Sequence, residues 1–128
     1  MKLQVALVQH PSVFLNLAAS VERAQALIAE AAGEGARVIA FPETWLPGYP
    51  LWLDDAPGAG LWDHPPAKQL YQVLCDNALR VPGPETAKLQ AAAKRAGAHV
   101  VVGAHERRGG TLYNATLTFP PDGGAPAL

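Results

Sequence analysis

Arg37-Val38-Ile39-Ala40-Phe41-Pro42-Glu43-Thr44-Trp45-Leu46-Pro47-Gly48-Tyr49-Pro50 decides the fold. The run from Arg37 to Phe41 is rich in β-branched and aromatic residues, as a buried strand is, and Pro42 removes a backbone donor and so ends it. Glu43 therefore stands just past the carboxyl end of a strand. In open α/β sheets ligands bind at that edge, which makes this carboxylate a candidate for chemistry. The competing reading is a solvated loop carboxylate or a cap for the next turn.

Upstream of this strand, Leu3-Gln4-Val5-Ala6-Leu7-Val8 carries apolar side chains on both alternating faces, which predicts a first, central strand covered on two sides. Asn16 stands where an N-cap accepts from the free amides of a helix. Leu17, Val21, Ala24, Leu27, Ile28 and Ala31 then recur at three-to-four spacing, the pattern of an amphipathic helix with one buried stripe. Gly33 and Gly35 can take the left-handed conformation that closes it. The product is a β-α-β unit, whose crossover should be right-handed. Gly33-Glu34-Gly35 closes a helix, whereas a phosphate-binding loop opens one, which argues against nucleotide binding.

Downstream, Thr44 to Pro66 is dense in Pro, Gly and aromatic residues without clear periodicity, the mark of a long ordered loop. Its aromatics Trp45, Tyr49, Trp52 and Trp62 either glue the loop to the body, the reading favoured for Trp62, or wall a pocket for an apolar substrate tail. Ala67 to Leu79 predicts a helix with Leu70, Val73 and Leu74 on one face. Cys75 lies within it beside Asp76, which would raise rather than lower a thiol pKa, so it reads as a partly buried helix residue. Pro84 opens a second alanine-rich helix that Gly97 stops. His99 to Gly103 and Thr111 to Phe119 predict two further strands, joined at Gly109-Gly110 by a hairpin turn. His10, His64, His99 and His105 have no metal-site spacing, and neither metal nor cofactor is expected.

With 128 residues the chain suits one domain rather than two. It is 49% hydrophobic and 16% charged with a net charge of −1, so it offers no field for nucleic acid or anionic lipid. No apolar run is long enough for a bilayer, and Gln4 interrupts what would be the apolar segment of a signal peptide. A cytoplasmic location is the expectation. The single cysteine excludes an intrachain disulfide.

The stretch from the strand through Phe41-Pro42-Glu43 to Thr44-Trp45-Leu46-Pro47-Gly48-Tyr49-Pro50 closely resembles the first signature of the nitrilase family of carbon-nitrogen hydrolases, and most of all the branch that acts on nitriles. The likeness continues in Arg80-Val81-Pro82-Gly83-Pro84-Glu85-Thr86, Gly103-Ala104-His105-Glu106-Arg107 and Leu112-Tyr113-Asn114. It implies that Glu43 is the general base of a Glu-Lys-Cys triad, and that Tyr49, with Trp52 after it, lies beside a substrate pocket. Glu85 then reads as a helix-dipole partner. Asn114 is expected to satisfy buried backbone groups. Glu106 reads either as half of a strand-end ion pair with Arg107 or Arg108, or as a neighbour of Glu43.

The fold the resemblance implies is α/β, a partial α-β-β-α sandwich with a mixed sheet and helices on one face. The likeness runs from Leu3 to Gly123, and residues 1–128 read as the amino-terminal portion of a single carbon-nitrogen hydrolase domain. The family's lysine and cysteine motifs lie beyond these matches, and Cys75, Lys68, Lys88 and Lys94 fit neither. In the implied chemistry the thiol adds to the nitrile to give a thioimidate, water displaces ammonia, and a second water releases the acid. A carboxylate alone supplies only the base, so the isolated chain is expected to be inactive: a truncated product, a partial reading frame, or one piece of a split enzyme. Three helices cannot cover both sheet faces, so one should be left bare. The expected partners are a small nitrile or amide substrate and either further copies of the chain or the missing carboxyl-terminal half. Amidase, cyanide hydratase and carbamoylase activities stand as alternatives, as does a non-catalytic interaction module.

Overall fold

The computed structural model describes residues 2–59, 61 and 63–128, so the expectation for Trp62 lies outside the described residues. It realises the β-α-β unit as β1 (Val5–Leu7), α1 (Leu17–Gly33) and β2 (Val38–Ala40). Asn16 caps α1 as its chemistry predicts, its side-chain oxygen accepting from the Ala19 amide at 3.1 Å. Asn16→Ala should lower unfolding stability by about 1 kcal/mol, seen as a lower urea midpoint at unchanged slope, while Asn16→Ser restores most of it. Of the two glycines after the stripe, only Gly35 takes a positive φ, +99°.

The remaining elements are α2 (Trp52–Asp55), α3 (Pro65–Asp76), α4 (Pro84–Ala96), β3 (His99–Arg108) and β4 (Thr111–Phe119). Pro84 occupies the first turn of α4 and Glu85 joins it there, while Lys94 and Arg95 stand in the last turn, charges of the sign the helix dipole favours at each end. Gly97 closes α4 with φ +58°, and at the hairpin only Gly109 takes a positive φ, +62°. Helix α3 starts two residues earlier than its periodicity suggests, because its first turn tolerates Pro65 and Pro66. On it Leu74 is buried but Val73 is 42% exposed, so the buried face is narrower than expected.

The four strands form one mixed sheet in the order β1-β2-β3-β4, with β3 parallel to β2 and antiparallel to β4. Register puts Ile39, Val100, Val102, Leu117 and Phe119 on one face, all fully buried in a core shared with Val21, Ala24 and Ile28 of α1 and Leu89, Ala92 and Ala93 of α4. The other face carries Val5, Leu7, Val38, Ala40 and Val101, and here Val5 is 51% and Leu7 74% exposed. Helices α1 and α4 thus cover one side, and the β1 end of the other side is left bare. The central, doubly covered position expected for β1 is corrected: β1 is an edge strand whose outer side chains are bare. Apolar residues on both faces of a strand record a demand for burial, and α1 and α4 meet it on one side.

Strand β3 runs five residues past Gly103, where the sequence pattern predicts its end. The reason is long-range pairing. Beyond β2, the edge of β3 is continued by Leu46 and then Leu79: the Leu46 amide donates to the Gly103 carbonyl at 3.1 Å, the His105 amide to Leu46 at 2.7 Å, and the Leu79 amide to His105 at 2.8 Å. A second small core of Trp52, Ala59 and Leu74, joined by Leu15, Leu70 and Leu112, seats α2 and α3 near the hairpin. No helix among the described residues is long and apolar enough to cross a membrane.

Candidate functional site

Glu43 lies just past the end of β2, and its carboxylate is exposed on the sheet face that α1 and α4 leave uncovered. It is not free there. The Asn114 side-chain amide donates to Glu43 Oε1 at 2.5 Å, across a separation of 71 residues, and no other hydrogen bond reaches this carboxylate among the described residues. Asn114 lies on β4 opposite His105 of β3, pointing to the same face. The expectation that Asn114 serves buried backbone is therefore corrected. The β3-β4 ladder already pairs the backbone around it, which leaves its exposed amide for Glu43. One carboxylate oxygen is thereby oriented and the other left available as a proton acceptor.

Beside Glu43 opens a cleft of about 280 Å³, walled by Pro11, Phe14, Trp45, Tyr49 and Leu51, with Ser12 and Thr44 as its other polar side chains. Tyr49 stands half-exposed on this wall. The Asp54 carboxylate beside its hydroxyl holds the phenol in its protonated form, with Glu43 adding a weaker push in the same direction. Trp45 is buried, its indole N–H donating to the His10 carbonyl at 2.8 Å and its ring set edge-on to Phe41 at 4.8 Å. Trp52 stands one layer back. Its buried ring meets Phe14 edge-on at 6.3 Å, so it supports the wall from behind. Phe14 itself escapes the sequence reading. Its signal is a large apolar residue in the short loop just ahead of the helix cap, Ser12-Val13-Phe14-Leu15-Asn16.

The neighbouring charged groups sort themselves by strand parity. His105 shares the face of Glu43 but is half-buried, and that burial favours its neutral imidazole, offset in part by the Gly48 backbone. Glu106, one residue on, points to the opposite face, where its buried carboxylate is gripped by Arg108 Nη2 at 2.9 and 3.1 Å. Of its two readings, the strand-end ion pair is the one observed. Arg107 turns instead to the end of α3, bonding the Cys75 carbonyl and the Asp76 carboxylate, each at 3.2 Å. The Cys75 thiol is free and half-buried on α3. Lys68 lies on α3, and Lys88 and Lys94 on α4. No three His, Cys, Asp or Glu side chains group as metal ligands among the described residues.

The model of the carbon-nitrogen hydrolase family matches residues 4–127. An arylacetonitrilase of Hypocrea virens is 38% identical over 120 residues, which are 94% of this chain and 34% of that protein. An aliphatic nitrilase of Sinorhizobium fredii is 39% identical across 95% of the chain and 39% of its own length, and a nitrilase of Pseudomonas syringae is 41% identical across 87% and 31%. The chain thus spans roughly a third of the length of these relatives. Among solved structures, a CN-hydrolase superfamily protein of Xanthomonas campestris with an arsenic adduct in its active site superposes with a TM-score of 0.67 at 23% identity, covering 95% of this chain and 38% of that one. The NitN amidase of Nesterenkonia superposes with 0.68 at 18% identity over 97% and 42%. At those identities the likeness is one of fold, the α-β-β-α architecture.

Proposed function

Because the chain belongs to the carbon-nitrogen hydrolase family, whose model spans residues 4–127, we propose that it serves nitrile hydrolysis, with Glu43 as the general base that takes the proton of a cysteine thiol. The observation that carries this reading is a carboxylate lining an aromatic cleft, one oxygen held by Asn114 and the other unengaged among the described residues. The names of the relatives, arylacetonitrilase, aliphatic nitrilase and nitrilase, agree on a nitrile as the electrophile. A nitrile carbon is a poor electrophile. Its attack needs a thiolate, and a cation or donor for the nitrogen anion that develops, and in this family a Lys and a Cys divide that work. Tyr49 lines the approach to the reacting carbon.

Neither partner of the base is supplied by these 128 residues in this reading, since Cys75, Lys68, Lys88 and Lys94 sit on helices and Lys2 lies ahead of β1. The chain alone should therefore release no ammonia above the buffer rate from phenylacetonitrile or pentanenitrile. A longer protein carrying the same segment, with a strand-borne lysine and a cysteine after it, should release one ammonia per acid formed. The DNA downstream of codon 128 and an ammonia assay on the encoded product test both halves. Turnover by the 128-residue chain itself would overturn the division of labour, and a longer product inert on all nitriles would overturn the function.

A non-catalytic assembly module is the second reading, favoured by the bare sheet face at Val5 and Leu7. Mass in solution separates the two. A monodisperse oligomer of the chain would support the module, whereas aggregation relieved by a longer product would support the hydrolase.

A further inference from the structure

We propose that the cleft beside Glu43 is a seat for an aryl ring, which makes the substrates aryl-bearing nitriles in preference to alkyl ones. The inference deepens the nitrile reading, on which it rests for the reacting group alone. Three large apolar side chains stand half-exposed around one small space: Phe14 at 48%, Tyr49 at 48% and Leu51 at 53%. Exposed apolar surface gathered around a concavity marks a place where something apolar binds. Among the described residues, the only ionisable group on the wall besides the Tyr49 phenol is Glu43. A ligand therefore places its polar group there and its apolar body along the rings.

The wall is braced as a preformed surface. Phe14 meets Trp52 edge-on at 6.3 Å and 62°, and Trp52 in turn meets Tyr71 at 5.7 Å and 89°, so the exposed ring is the last of a three-ring stack anchored in α3. Gly48 lets the loop lie directly against that ring, for a Cβ there would come within 2.9 Å of Phe14 Cδ2. Tyr49 shares this wall, its phenol kept protonated by the neighbouring Asp54 carboxylate. The stacked rings lose little freedom when a ligand arrives.

Size agrees. An apolar cavity of about 150 Å³ suffices for benzene. The 280 Å³ here accommodates a ring plus a short arm carrying the nitrile toward Glu43. A linear alkyl chain would touch the same wall but forgo the edge-to-face pairing that aromatic pairs gain beyond burial, a difference of roughly two- to tenfold in affinity.

The experiment is an NMR titration, which needs no turnover, of the 128-residue chain or, where that chain aggregates, of the longer product with its nucleophilic cysteine replaced by alanine. The probes are phenylacetonitrile, pentanenitrile and benzyl alcohol, the last having a ring but no nitrile. The expected result is a Kd for phenylacetonitrile about two- to tenfold below that for pentanenitrile, with shifts at the amides of Gly48 and Leu51, and benzyl alcohol perturbing the same amides. Phe14→Ala should erase the preference, and Phe14→Leu, which keeps the apolar contact without the ring, should erase it too while preserving binding. Because Phe14 is half-exposed, both variants should keep the native amide spectrum. Equal affinities for the two nitriles, shifts confined elsewhere, or an undiminished preference in either folded Phe14 variant would overturn the proposal. Benzyl alcohol and phenylacetonitrile binding here while no longer product hydrolyses any nitrile would uphold the ring seat and sink only the assigned chemistry.

Discussion

Glu43→Gln, placed in a catalytically complete protein that carries this segment, should lower kcat for nitrile hydrolysis by about 10²- to 10⁴-fold, the usual contribution of the positioned general base proposed for it. The substitution is a narrow one. Glutamine keeps the shape of the side chain and retains an oxygen to accept from Asn114, so the contact observed at 2.5 Å survives while the proton acceptor is lost. Because the carboxylate is exposed, its removal should change folding stability by no more than about 0.5 kcal/mol, so loss of rate cannot be laid to unfolding. KM should move far less than kcat, because the apolar wall of Phe14, Tyr49 and Leu51 is untouched. Steady-state ammonia release with phenylacetonitrile measures both. A Glu43→Gln enzyme with the parent kcat would remove the base from this site and leave the cleft a binding surface only.

The parts of this site that can be read from the chain alone are those set by neighbours in sequence. Asn16 announces the start of α1 because a cap bonds an amide three residues on, and Gly97 the end of α4 because only a glycine takes φ +58° without strain. Glu43 is legible for the same reason: Pro42 ends the strand, and the first residue past a strand end sits at the sheet edge. Features that depend on partners far along the chain stay hidden. The length of β3 rests on Leu46 and Leu79 continuing its edge, and the task of Asn114 on a loop 71 residues away. Phe14 becomes part of the wall only when Trp52 and Gly48 close in on it. The bare outer side of β1 is legible as a shortage of helices but not as a location, since strand order is invisible to periodicity.

Gly103→Ala should cost about 3 kcal/mol of stability and misplace Glu43, although it adds one methyl group on the far side of a strand from the main core. Between the bonds at either end, the chain beside β3 runs from Phe41 to Leu46 while β3 itself advances only from Val101 to Gly103. The surplus lies across Gly103 and carries Glu43 with it. A Cβ at Gly103 would drive into the Pro42 carbonyl oxygen and meet the Glu43 Cα at 2.6 Å and the Thr44 nitrogen at 2.7 Å. All three are backbone atoms of a segment pinned at both ends, so no side chain can rotate away, and the loop itself must lift. Overpacking of this kind costs roughly 1–3 kcal/mol, and the upper end is expected where backbone alone must yield. A shift of about 1 Å in a reacting group costs on the order of 10²-fold in rate, so the complete protein should lose activity even where it stays folded. Gly33→Ala makes the control. A Cβ there meets nothing within 4 Å at the last residue of α1, and the same methyl should be neutral or stabilise by about 0.5 kcal/mol. Urea denaturation of the two variants, with the Asn114 side-chain amide resonance tracked as a marker of its bond to Glu43, separates them. If both behave alike and that resonance stays in place, Gly103 is not what holds the carboxylate over β3.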